Sequence, residues 1–476
     1  MRLTDLLPDA TPDARVTGFA IDHRKVAPGT IFGAFKGARF NGEDFISQAI
    51  GDGAIAIVAA PEAEVTGVPH VASAEPRQTF AQLAARFFKP FPATTVAVTG
   101  TNGKTSTVEL VRQLWRMAGQ HAASIGTLGV TTADDQVSTG LTTPDIVTFL
   151  SNMAGLAKEG VTHAAFEASS HGLSQYRTEG LPVRAAAFTN LSRDHLDYHG
   201  TMKDYFAAKL RLFTEVVDAD GAAVVWADDA FSAQVIEAVR ARGIRLISVG
   251  RQGDTIRLIE RTPTALGQTL KVEIEGKART IKLPLIGAYQ AANTLVSAGL
   301  VIATGGGEDA TFAALERLSP VRGRLERAAI TKAGAPVYVD YAHTPDGLEA
   351  AIDALRPHTQ NRLIVVFGAG GDRDTGKRPL MGEIAARLSD VAIVTDDNPR
   401  SEDPAAIRRD VMAGAASLRD GGERRAAIAA AIDQAREGDI VLIAGKGHEQ
   451  GQIVGAGETM RVLPFDDVTV ARECAA

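Results

Sequence analysis

The sequence has a single cysteine, Cys474, among its 476 residues. A lone cysteine cannot form an internal disulfide, so the secreted folds that depend on disulfide frameworks are excluded. Cys474 lies two residues before the last one, where chains commonly fray, and we assign it no role. We expect a protein of the reducing cytoplasm.

Positive charge is also in short supply. The 50 lysines and arginines are outnumbered by 57 aspartates and glutamates, which leaves a net charge of -7. Nucleic-acid-binding proteins usually carry a basic surface, so this balance argues against a nucleic-acid partner. We expect small-molecule substrates instead.

Long apolar runs are missing as well. The first residues lack the apolar stretch of a secretory signal. Residues 283–307 carry no charge, but they include Tyr289, Gln290, Asn293 and five glycines, which would be costly in a membrane. We therefore predict a buried helix over Ala288–Thr304 and no membrane insertion.

The composition is that of a globular protein, 45% hydrophobic and 22% charged, and the length suggests about three domains. Short apolar runs alternate with helical patterns, which is typical of parallel sheets flanked by helices. The alternation breaks at the closely spaced prolines after Phe88 and again over 245–285, where a β-hairpin is predicted. We expect an α/β protein whose small N-terminal α/β domain (1–88) precedes a central P-loop parallel-sheet domain (89–328) and a C-terminal Rossmann-like domain (329–476).

A glycine loop follows one predicted strand, Thr95–Thr99. Backbone amides of such a loop cradle phosphates, the lysine reaches the terminal phosphates and the next hydroxyl holds Mg²⁺. The two glycines are separated by two residues, whereas the general pattern has four. The pattern indicates a nucleotide site, and it leaves the use of the nucleotide open. The loop residues are Gly100, Thr101, Asn102, Gly103, Lys104, Thr105 and Ser106.

Other polar residues of the central region allow two interpretations each. Glu167 ends a predicted strand, where a carboxylate could hold Mg²⁺ or cap the next helix. His195 belongs to a dense polar segment, 189–200, that is either a loop with helix caps or part of a site. Lys209 lies in a helical stretch, and its sequence context alone predicts a solvated side chain.

Four polar segments of the C-terminal region each follow a predicted strand. They begin at Asp340, Gly368, Thr395 and Ala444. Ligands of open α/β sheets gather at the carboxyl ends of their strands, so these segments are expected to lie together. Arg373, Arg400 and Glu449 offer two cations and one anion, which suit a zwitterionic or polyanionic ligand.

Five segments together resemble the Mur ligase family, the ATP-dependent amide-forming enzymes of peptidoglycan precursor synthesis. They are Gly-Thr-Asn-Gly-Lys-Thr (100–105), Glu-Ala-Ser-Ser-His-Gly (167–172), Asn-Leu-Ser-Arg-Asp-His-Leu-Asp-Tyr-His (190–199), Asp-Tyr-Ala-His-Thr-Pro-Asp (340–346) and Gly-Gly-Asp-Arg-Asp (370–374). The resemblance runs from about residue 18 to residue 455. Family members that add meso-diaminopimelate carry Asp-Asn-Pro-Arg where this chain has 397–400, and those that add L-lysine generally lack the arginine. Arg400 suits the second carboxylate of diaminopimelate, which lysine does not have.

The resemblance also implies roles for individual residues. Phosphoryl transfer from ATP to the D-glutamate carboxylate would form an acyl phosphate, with Lys104, Glu167, His195 and Lys209 as the catalytic set. Mg²⁺ would be held by Thr105, Glu167, His195 and Lys209, the last after carbamylation by CO₂. Asp340 and His343 would join the glycine loop at ATP. The UDP-muramoyl peptide would contact Ile21, His23, Thr142, Thr143, Ser169, Gln175 and Arg177. Diaminopimelate would contact Arg373, Asp397, Asn398, Pro399, Arg400, Gly445 and Glu449.

The sequence departs from the family pattern at four places. His23 replaces the usual serine of the uridine site, and Leu141 replaces the usual asparagine before Thr-Thr-Pro. Tyr289-Gln290 replaces Phe-Asn on the adenine-side helix, and Trp226 replaces the asparagine before Ala-Asp-Asp; these two changes suggest altered adenine packing. The alternatives are a lysine-adding Mur ligase, a folylpolyglutamate synthetase and a P-loop NTPase that acts as a switch. We expect a monomer.

Overall fold

The computed structural model describes residues 1–37, 40–133, 135–137, 140–264 and 267–476, without the side chains of Asp197 and Glu458. The chain divides into two compact units. The first contains Met1–Ser248 and Gly299–Gly307, and the second contains Val249–Ala298 and Glu308–Ala476. The three domain boundaries expected from the sequence stay a prediction.

The first unit begins with a small parallel sheet whose strand order is β1-β2-β3-β4. Its strands are β1 (Gly18–Ala20), β2 (Thr30–Gly33), β3 (Ala54–Ala59) and β4 (His70–Ala72), and its helices are α1 (Leu3–Leu6), α2 (Ile46–Gly51) and α3 (Pro76–Phe88). Pro76 opens α3, where its missing amide hydrogen has no cost, and the helix buries Phe80 and Leu83. The helix ends at Phe88, directly before the proline-rich segment.

A larger sheet follows in the same unit, with the order β11-β10-β5-β9-β6-β7-β8. Its strands are β5 (Thr94–Thr99), β6 (Ala122–Gly126), β7 (Gly129–Thr131), β8 (Gln136–Val137), β9 (His163–Glu167), β10 (Ala185–Phe188) and β11 (Ala222–Trp226), and β12 (Arg245–Gly250) comes next along the chain. The helices are α4 (Lys104–Met117), α5 (Ile146–Lys158), α6 (Ser170–Ser174), α7 (Leu196–His199), α8 (Met202–Arg211) and α9 (Ser232–Ala241).

The central strands of this sheet explain why its loops form a site. From β11 to β6 the neighbouring strands run parallel, and β5 lies between β10 and β9. Val96, Ala97 and Val98 are fully buried, as expected for a parallel strand with both faces covered. The carboxyl ends of β10, β5, β9 and β6 therefore meet at one edge.

The second unit starts with three antiparallel strands, which confirms the predicted hairpin region. They are β13 (Ile256–Thr264), β14 (Gly267–Ile274) and β15 (Lys277–Leu283). Two helices follow, α10 (Ala288–Ala303), whose residues belong to both units, and α11 (Glu308–Leu315). Within the described ranges, no helix is both long enough and apolar enough to cross a membrane.

A six-stranded sheet forms the rest of the second unit, with the order β16-β17-β21-β18-β19-β20. The strands are β16 (Glu326–Ile330), β17 (Pro336–Asp340), β18 (Leu363–Phe367), β19 (Val391–Thr395), β20 (Arg419–Gly422) and β21 (Ile440–Ala444), followed by the separate hairpin β22 (Gly451–Val454) and β23 (Arg461–Pro464). The helices are α12 (Pro345–Leu355), α13 (Lys377–Leu388), α14 (Pro404–Met412), α15 (Arg424–Gln434) and α16 (Asp467–Ala475). Strands β17, β21, β18 and β19 are parallel neighbours, so the four predicted polar segments share one edge.

Candidate functional site

The glycine loop connects the end of β5 to the start of α4. Gly100 and Gly103 adopt φ angles of +149° and +88°, a region that favours glycine. A side chain at Gly100 would also overlap the hydroxyl of Thr189. Gly103 is the N-cap of α4 and has no side chain to accept the amides of the first turn, which leaves that turn suited to an anion. Thr105 and Ser106 are buried in it.

The loop is fastened to the segment that follows β10. Thr101 and Asn102 donate their amides to the backbone oxygen and the side-chain oxygen of Asn190, both over 2.9 Å. The Thr101 hydroxyl donates to the carbonyl of Ser192 over 3.1 Å. These bonds hold the loop in a fixed conformation in which its backbone can form a cradle for an anion.

Two lysines converge on one carbonyl of this loop. Nζ of Lys104 lies 3.0 Å from the Gly100 oxygen, and Nζ of Lys209, reaching in from α8, lies 2.7 Å from the same atom. Lys209 is only 1% exposed. Burial, together with the nearby charge of Lys104, lowers the pKa of Lys209 well below its usual value. The prediction of a solvated Lys209 is therefore wrong, and its surroundings favour the uncharged amine more than water does.

This pKa shift predicts a pH-dependent stability difference. A lysine whose pKa is depressed by folding binds fewer protons in the folded state, so its contribution to stability rises with pH up to the unfolded pKa. In buffer free of CO₂, Lys209→Met should therefore unfold at a higher temperature than the parent at pH 7. That advantage should shrink as the pH rises toward about 10, near the unfolded pKa of lysine. Thermal unfolding across this range checks it, with exposed Lys203→Met on the same helix as the control. A difference in unfolding temperature between Lys209→Met and the parent that does not change with pH would contradict the lowered pKa of Lys209.

Tyr205 links this lysine to the loop and to the histidines. Nζ of Lys209 lies 4.5 Å from the centre of the Tyr205 ring, and the Tyr205 hydroxyl is 3.1 Å from that of Thr101. The His195 ring lies 6.2 Å from the same ring. Sequence reasoning missed Tyr205, although its spacing of four residues from Lys209 places both on one face of α8.

His195 stands at the start of α7 with a left-handed backbone, φ +53°. Its Nε2 is 3.4 Å from Asp194 Oδ2, and its ring meets the His171 ring edge-on at 4.8 Å. About half of the side chain is exposed. A half-exposed imidazole beside a carboxylate is suited to contact a charged ligand.

Glu167 ends β9 and is buried next to the turn that follows β6. Its carboxylate accepts the amide of Thr127 over 2.7 Å and the hydroxyl of Thr127 over 3.2 Å. Any side chain at Gly126 would overlap this carboxylate, which explains the glycine. Glu167 and Thr105 both offer oxygen donors, the type that Mg²⁺ prefers.

Five of the seven residues expected at the peptide substrate, Thr142, Thr143, Ser169, Gln175 and Arg177, form one hydrogen-bonded group. Thr143 accepts the amide of Ser169 over 3.1 Å and donates its hydroxyl to the backbone oxygen of Glu167 over 2.8 Å. Arg177 donates to the Thr143 carbonyl over 2.9 Å and to Gln175 Oε1 over 2.7 Å. Thr142 joins through the hydroxyl of Thr127, 3.1 Å away. Burial lowers the pKa of Arg177, so an anionic partner would be favourable there.

Ile21 and His23 lie elsewhere in the first unit, just beyond β1. His23 opens a short 3₁₀ turn and stacks flat on Phe45, with ring centres 4.1 Å apart. Ile21 packs against the main hydrophobic core. Among the described residues, no hydrogen bond connects this pair to the Thr143 group.

Carboxylates, histidines and cysteines alone do not form a metal site in the described part of the chain, where groups of three or more such residues are absent. Thr105 and Glu167 offer single oxygen donors, which is compatible with Mg²⁺ because this ion usually keeps several non-protein ligands.

In the second unit, Asn398 is the centre of the segment Asp397–Arg400, which is expected to contact the amino-acid substrate and is called the amino-acid segment below. Its Oδ1 accepts Nζ of Lys446 over 2.8 Å and the amide of Ile453 over 2.9 Å, which turns its Nδ2 toward Glu449 Oε2, 2.8 Å away. Lys446, fully buried, is also 3.2 Å from that Glu449 oxygen. Sequence reasoning missed Lys446, although it lies between two residues that it did name, Gly445 and Glu449.

Arg400 follows with a left-handed backbone, φ +52°, and donates from Nη1 to the Gly371 carbonyl over 2.8 Å. Burial and the neighbouring Arg373 lower the pKa of Arg400, while Asp397 and Glu449 act in the opposite direction. These charges are thus close enough to influence one another. Pro399 and Gly445 lie where chain segments approach closely, since a side chain at Gly371 would overlap the Pro399 carbonyl and one at Gly445 would crowd Asp397.

Asp340 ends β17 in the same unit, and His343 follows three residues later. Asp340 accepts the amides of Leu325 and Ala342 over 2.7 and 2.9 Å, and Tyr289 lies 3.3 Å away as a third donor. Burial raises the pKa of Asp340. His343 is exposed, and its Nδ1 is 2.8 Å from the Tyr341 carbonyl. Asp340 is therefore held firmly at the strand end, and His343 is open to solvent.

Three family profiles match successive parts of the chain. Residues 15–88 match the Mur ligase family catalytic domain, residues 98–301 the Mur ligase middle domain, and residues 323–447 the Mur ligase glutamate ligase domain. Together they cover well over half of the chain.

Known proteins agree with these profiles. The UDP-N-acetylmuramoyl-L-alanyl-D-glutamate–2,6-diaminopimelate ligase of Zymomonas mobilis is 61% identical over 97% of this chain and 95% of its own length. A solved structure of an enzyme with the same name is 32% identical, with a TM-score of 0.74, over 100% of this chain and 98% of that one. Folylpolyglutamate synthase of Mycobacterium tuberculosis complexed with ADP covers 78% of this chain and 91% of its own at 21% identity and a TM-score of 0.62, a likeness of fold alone. The resemblance drawn from the motifs is confirmed: the chain belongs to the Mur ligase family.

Proposed function

We propose that this chain is an ATP-dependent ligase that joins meso-2,6-diaminopimelate to UDP-N-acetylmuramoyl-L-alanyl-D-glutamate in peptidoglycan precursor synthesis. The observation that carries the proposal is that Arg400 and Glu449 both lie beside Asn398: Glu449 accepts Asn398 Nδ2, and its charge acts on the Arg400 guanidinium, so a cation and an anion stand beside one segment. Diaminopimelate has a second carboxylate and a second ammonium at its far end, and these two charges match that pair. The 61% identity to a ligase of this name supports the same substrates.

The reaction would run in two steps. The γ-phosphoryl group of ATP passes to the D-glutamate carboxylate, which gives an acyl phosphate and ADP. The free amine of diaminopimelate then attacks the acyl carbon, and phosphate leaves as the amide forms. Most of the catalysis is positioning and neutralisation of phosphate charge.

The glycine loop would carry out the phosphate part of this work. Its fixed backbone and the first turn of α4 would receive the ATP phosphates. Lys104, which now bonds to the carbonyls of Gly100 and Thr101, would supply positive charge beside them. Because the loop is already tied to Asn190, little conformational entropy is lost when ATP binds.

Mg²⁺, when bound, would neutralise phosphate charge. Thr105 and Glu167 would hold one ion through their oxygens. His195 and Lys209 would hold a second ion. A lysine can take part only as a carbamate, in which the neutral amine has added CO₂ and released a proton. The buried, uncharged state favoured for Lys209 is the form that reacts with CO₂. The Thr143–Arg177 group would bind the peptide substrate, with Arg177 facing an anionic part of it.

A lysine-adding ligase is the second candidate, and Arg400 argues against it because L-lysine has no distal carboxylate for this cation. Folylpolyglutamate synthesis would need a pterin site. We propose that the enzyme works as a monomer in the cytoplasm, where ATP and the nucleotide substrate are available.

Omission of single components tests the activity. With Mg²⁺, ATP, UDP-N-acetylmuramoyl-L-alanyl-D-glutamate and meso-diaminopimelate present, the chain should release phosphate steadily, and omission of either acceptor substrate should stop the release. Phosphate release from ATP alone at the full rate would instead identify an NTPase and would exclude the ligase.

A further inference from the structure

The hairpin β22–β23 lies directly against the amino-acid segment of the second unit. Several of its apolar side chains face solvent, and Val462 and Leu463 are 61% and 47% exposed. A two-stranded hairpin that buries so little of its own surface is marginal by itself. Its hydrogen bonds to residues 397–400 must therefore contribute to holding it in place.

These bonds enclose Arg400 from both sides. The Arg400 amide donates to the Ile453 carbonyl over 3.0 Å, and the Gly455 amide donates to the Arg400 carbonyl over 2.7 Å. A left-handed backbone is unfavourable for an arginine, so it persists only where the surroundings impose it. The hairpin supplies that constraint at the residue expected to select the substrate.

One side chain of the hairpin makes a further bond to the same segment. Nε2 of Gln452 donates to the backbone carbonyl of Asp397 over 2.6 Å. The next residue, Ile453, donates its amide to Asn398 Oδ1. Gln452 thus holds the start of the segment, and the backbone of Ile453 and Gly455 holds its middle and end.

We propose that Gln452 is a positioning residue for substrate selection: it fixes Asp397–Arg400 so that the Arg400 guanidinium meets the distal carboxylate of the amino acid. The inference rests on the proposed function. Gln452 acts through the Asp397 carbonyl, and the direct contact with the amino acid belongs to Arg400. Loss of this bond should loosen the segment and leave the ATP loop of the first unit unchanged.

Gln452→Leu tests the proposal because leucine has a similar size and cannot donate. Gln450→Leu is the matched control, since Gln450 is an exposed glutamine two residues earlier. We expect Gln452→Leu to raise the KM for meso-diaminopimelate about five- to tenfold, the effect of one partly buried hydrogen bond. The KM for ATP and kcat should stay within about twofold. Hydrogen exchange should become faster at the amides of Arg400 and Gly455 in this variant and not in the control.

Three other results would be decisive. Unchanged KM values and unchanged exchange would overturn the role of Gln452, and so would an equal loss in every kinetic parameter with a lower Tm, because that pattern marks general destabilisation. If the parent chain forms no product with meso-diaminopimelate, the proposed function fails. In that case exchange alone decides on Gln452: faster exchange at Arg400 supports its positioning role, and unchanged exchange overturns it.

Discussion

Lys209→Ala should lower kcat by about a thousandfold, the loss expected when several kcal/mol of charge stabilisation are removed from a phosphoryl-transfer site. The reason is the burial of an amine that shares the Gly100 carbonyl with Lys104. A neutral amine there can add CO₂ and become an anion, and alanine cannot. Steady-state phosphate release measures the effect, with Lys203→Ala on the same helix as the control.

Added short carboxylates separate the carbamate from a purely structural lysine. If the carbamate is the functional form, acetate or formate should restore part of the activity of Lys209→Ala. Activity within about tenfold of the parent would contradict the large effect predicted for this residue. Absence of rescue, together with a loss of ATP affinity as large as the loss in kcat, would show that Lys209 only supports the loop.

The second large effect is expected at Arg400. Arg400→Ala should raise the KM for meso-diaminopimelate about a hundredfold, because charge-assisted, two-pronged hydrogen bonds to a carboxylate are among the strongest in proteins. The KM for ATP should change little. Arg400→Lys should be intermediate, since lysine keeps the charge and loses the planar fork. Exposed Arg409→Ala serves as the control.

Equal effects of Arg400→Ala on the KM values of ATP and diaminopimelate would contradict this role. Such a result would mean that the substitution disturbs the whole chain. The left-handed backbone at Arg400 makes the comparison with Arg400→Lys important, because both replacements bear the same backbone strain.

Much of the architecture could be predicted because it depends on local signals. Apolar runs that end in polar residues predicted the strands and placed their loops at the sheet edges. The glycine loop was predictable since Gly100 and Gly103 satisfy backbone requirements that belong to the loop itself. The antiparallel strands between 256 and 283 likewise follow from alternating side chains.

Burial of single polar residues was harder to predict. Lys209 looked solvated, yet Tyr205 lies four residues before it on the buried face of α8, and Leu212, which is also buried, follows three residues later at the end of the helix. The helical period carried this signal, and the charge of lysine masked it. Tyr289 is a related case: the sequence suggested altered adenine packing, and the structure shows its hydroxyl bonded to Asp340.

Contacts between distant parts of the chain could not be predicted at all. Lys446 and Gln452 bond to Asn398 and Asp397, some fifty residues earlier in the sequence. Neither residue belongs to a pattern that periodicity or spacing can identify. Such pairings arise only when β19 and β21 are brought to one edge of the same sheet.

A direct competition between meso-diaminopimelate and L-lysine tests which amino acid the enzyme selects. The chain would be given ATP, Mg²⁺ and UDP-N-acetylmuramoyl-L-alanyl-D-glutamate with equal concentrations of meso-diaminopimelate and L-lysine, and the products would be identified by mass spectrometry. We expect the diaminopimelate adduct almost alone, with one phosphate released per product. A predominant lysine adduct would contradict this choice of substrate.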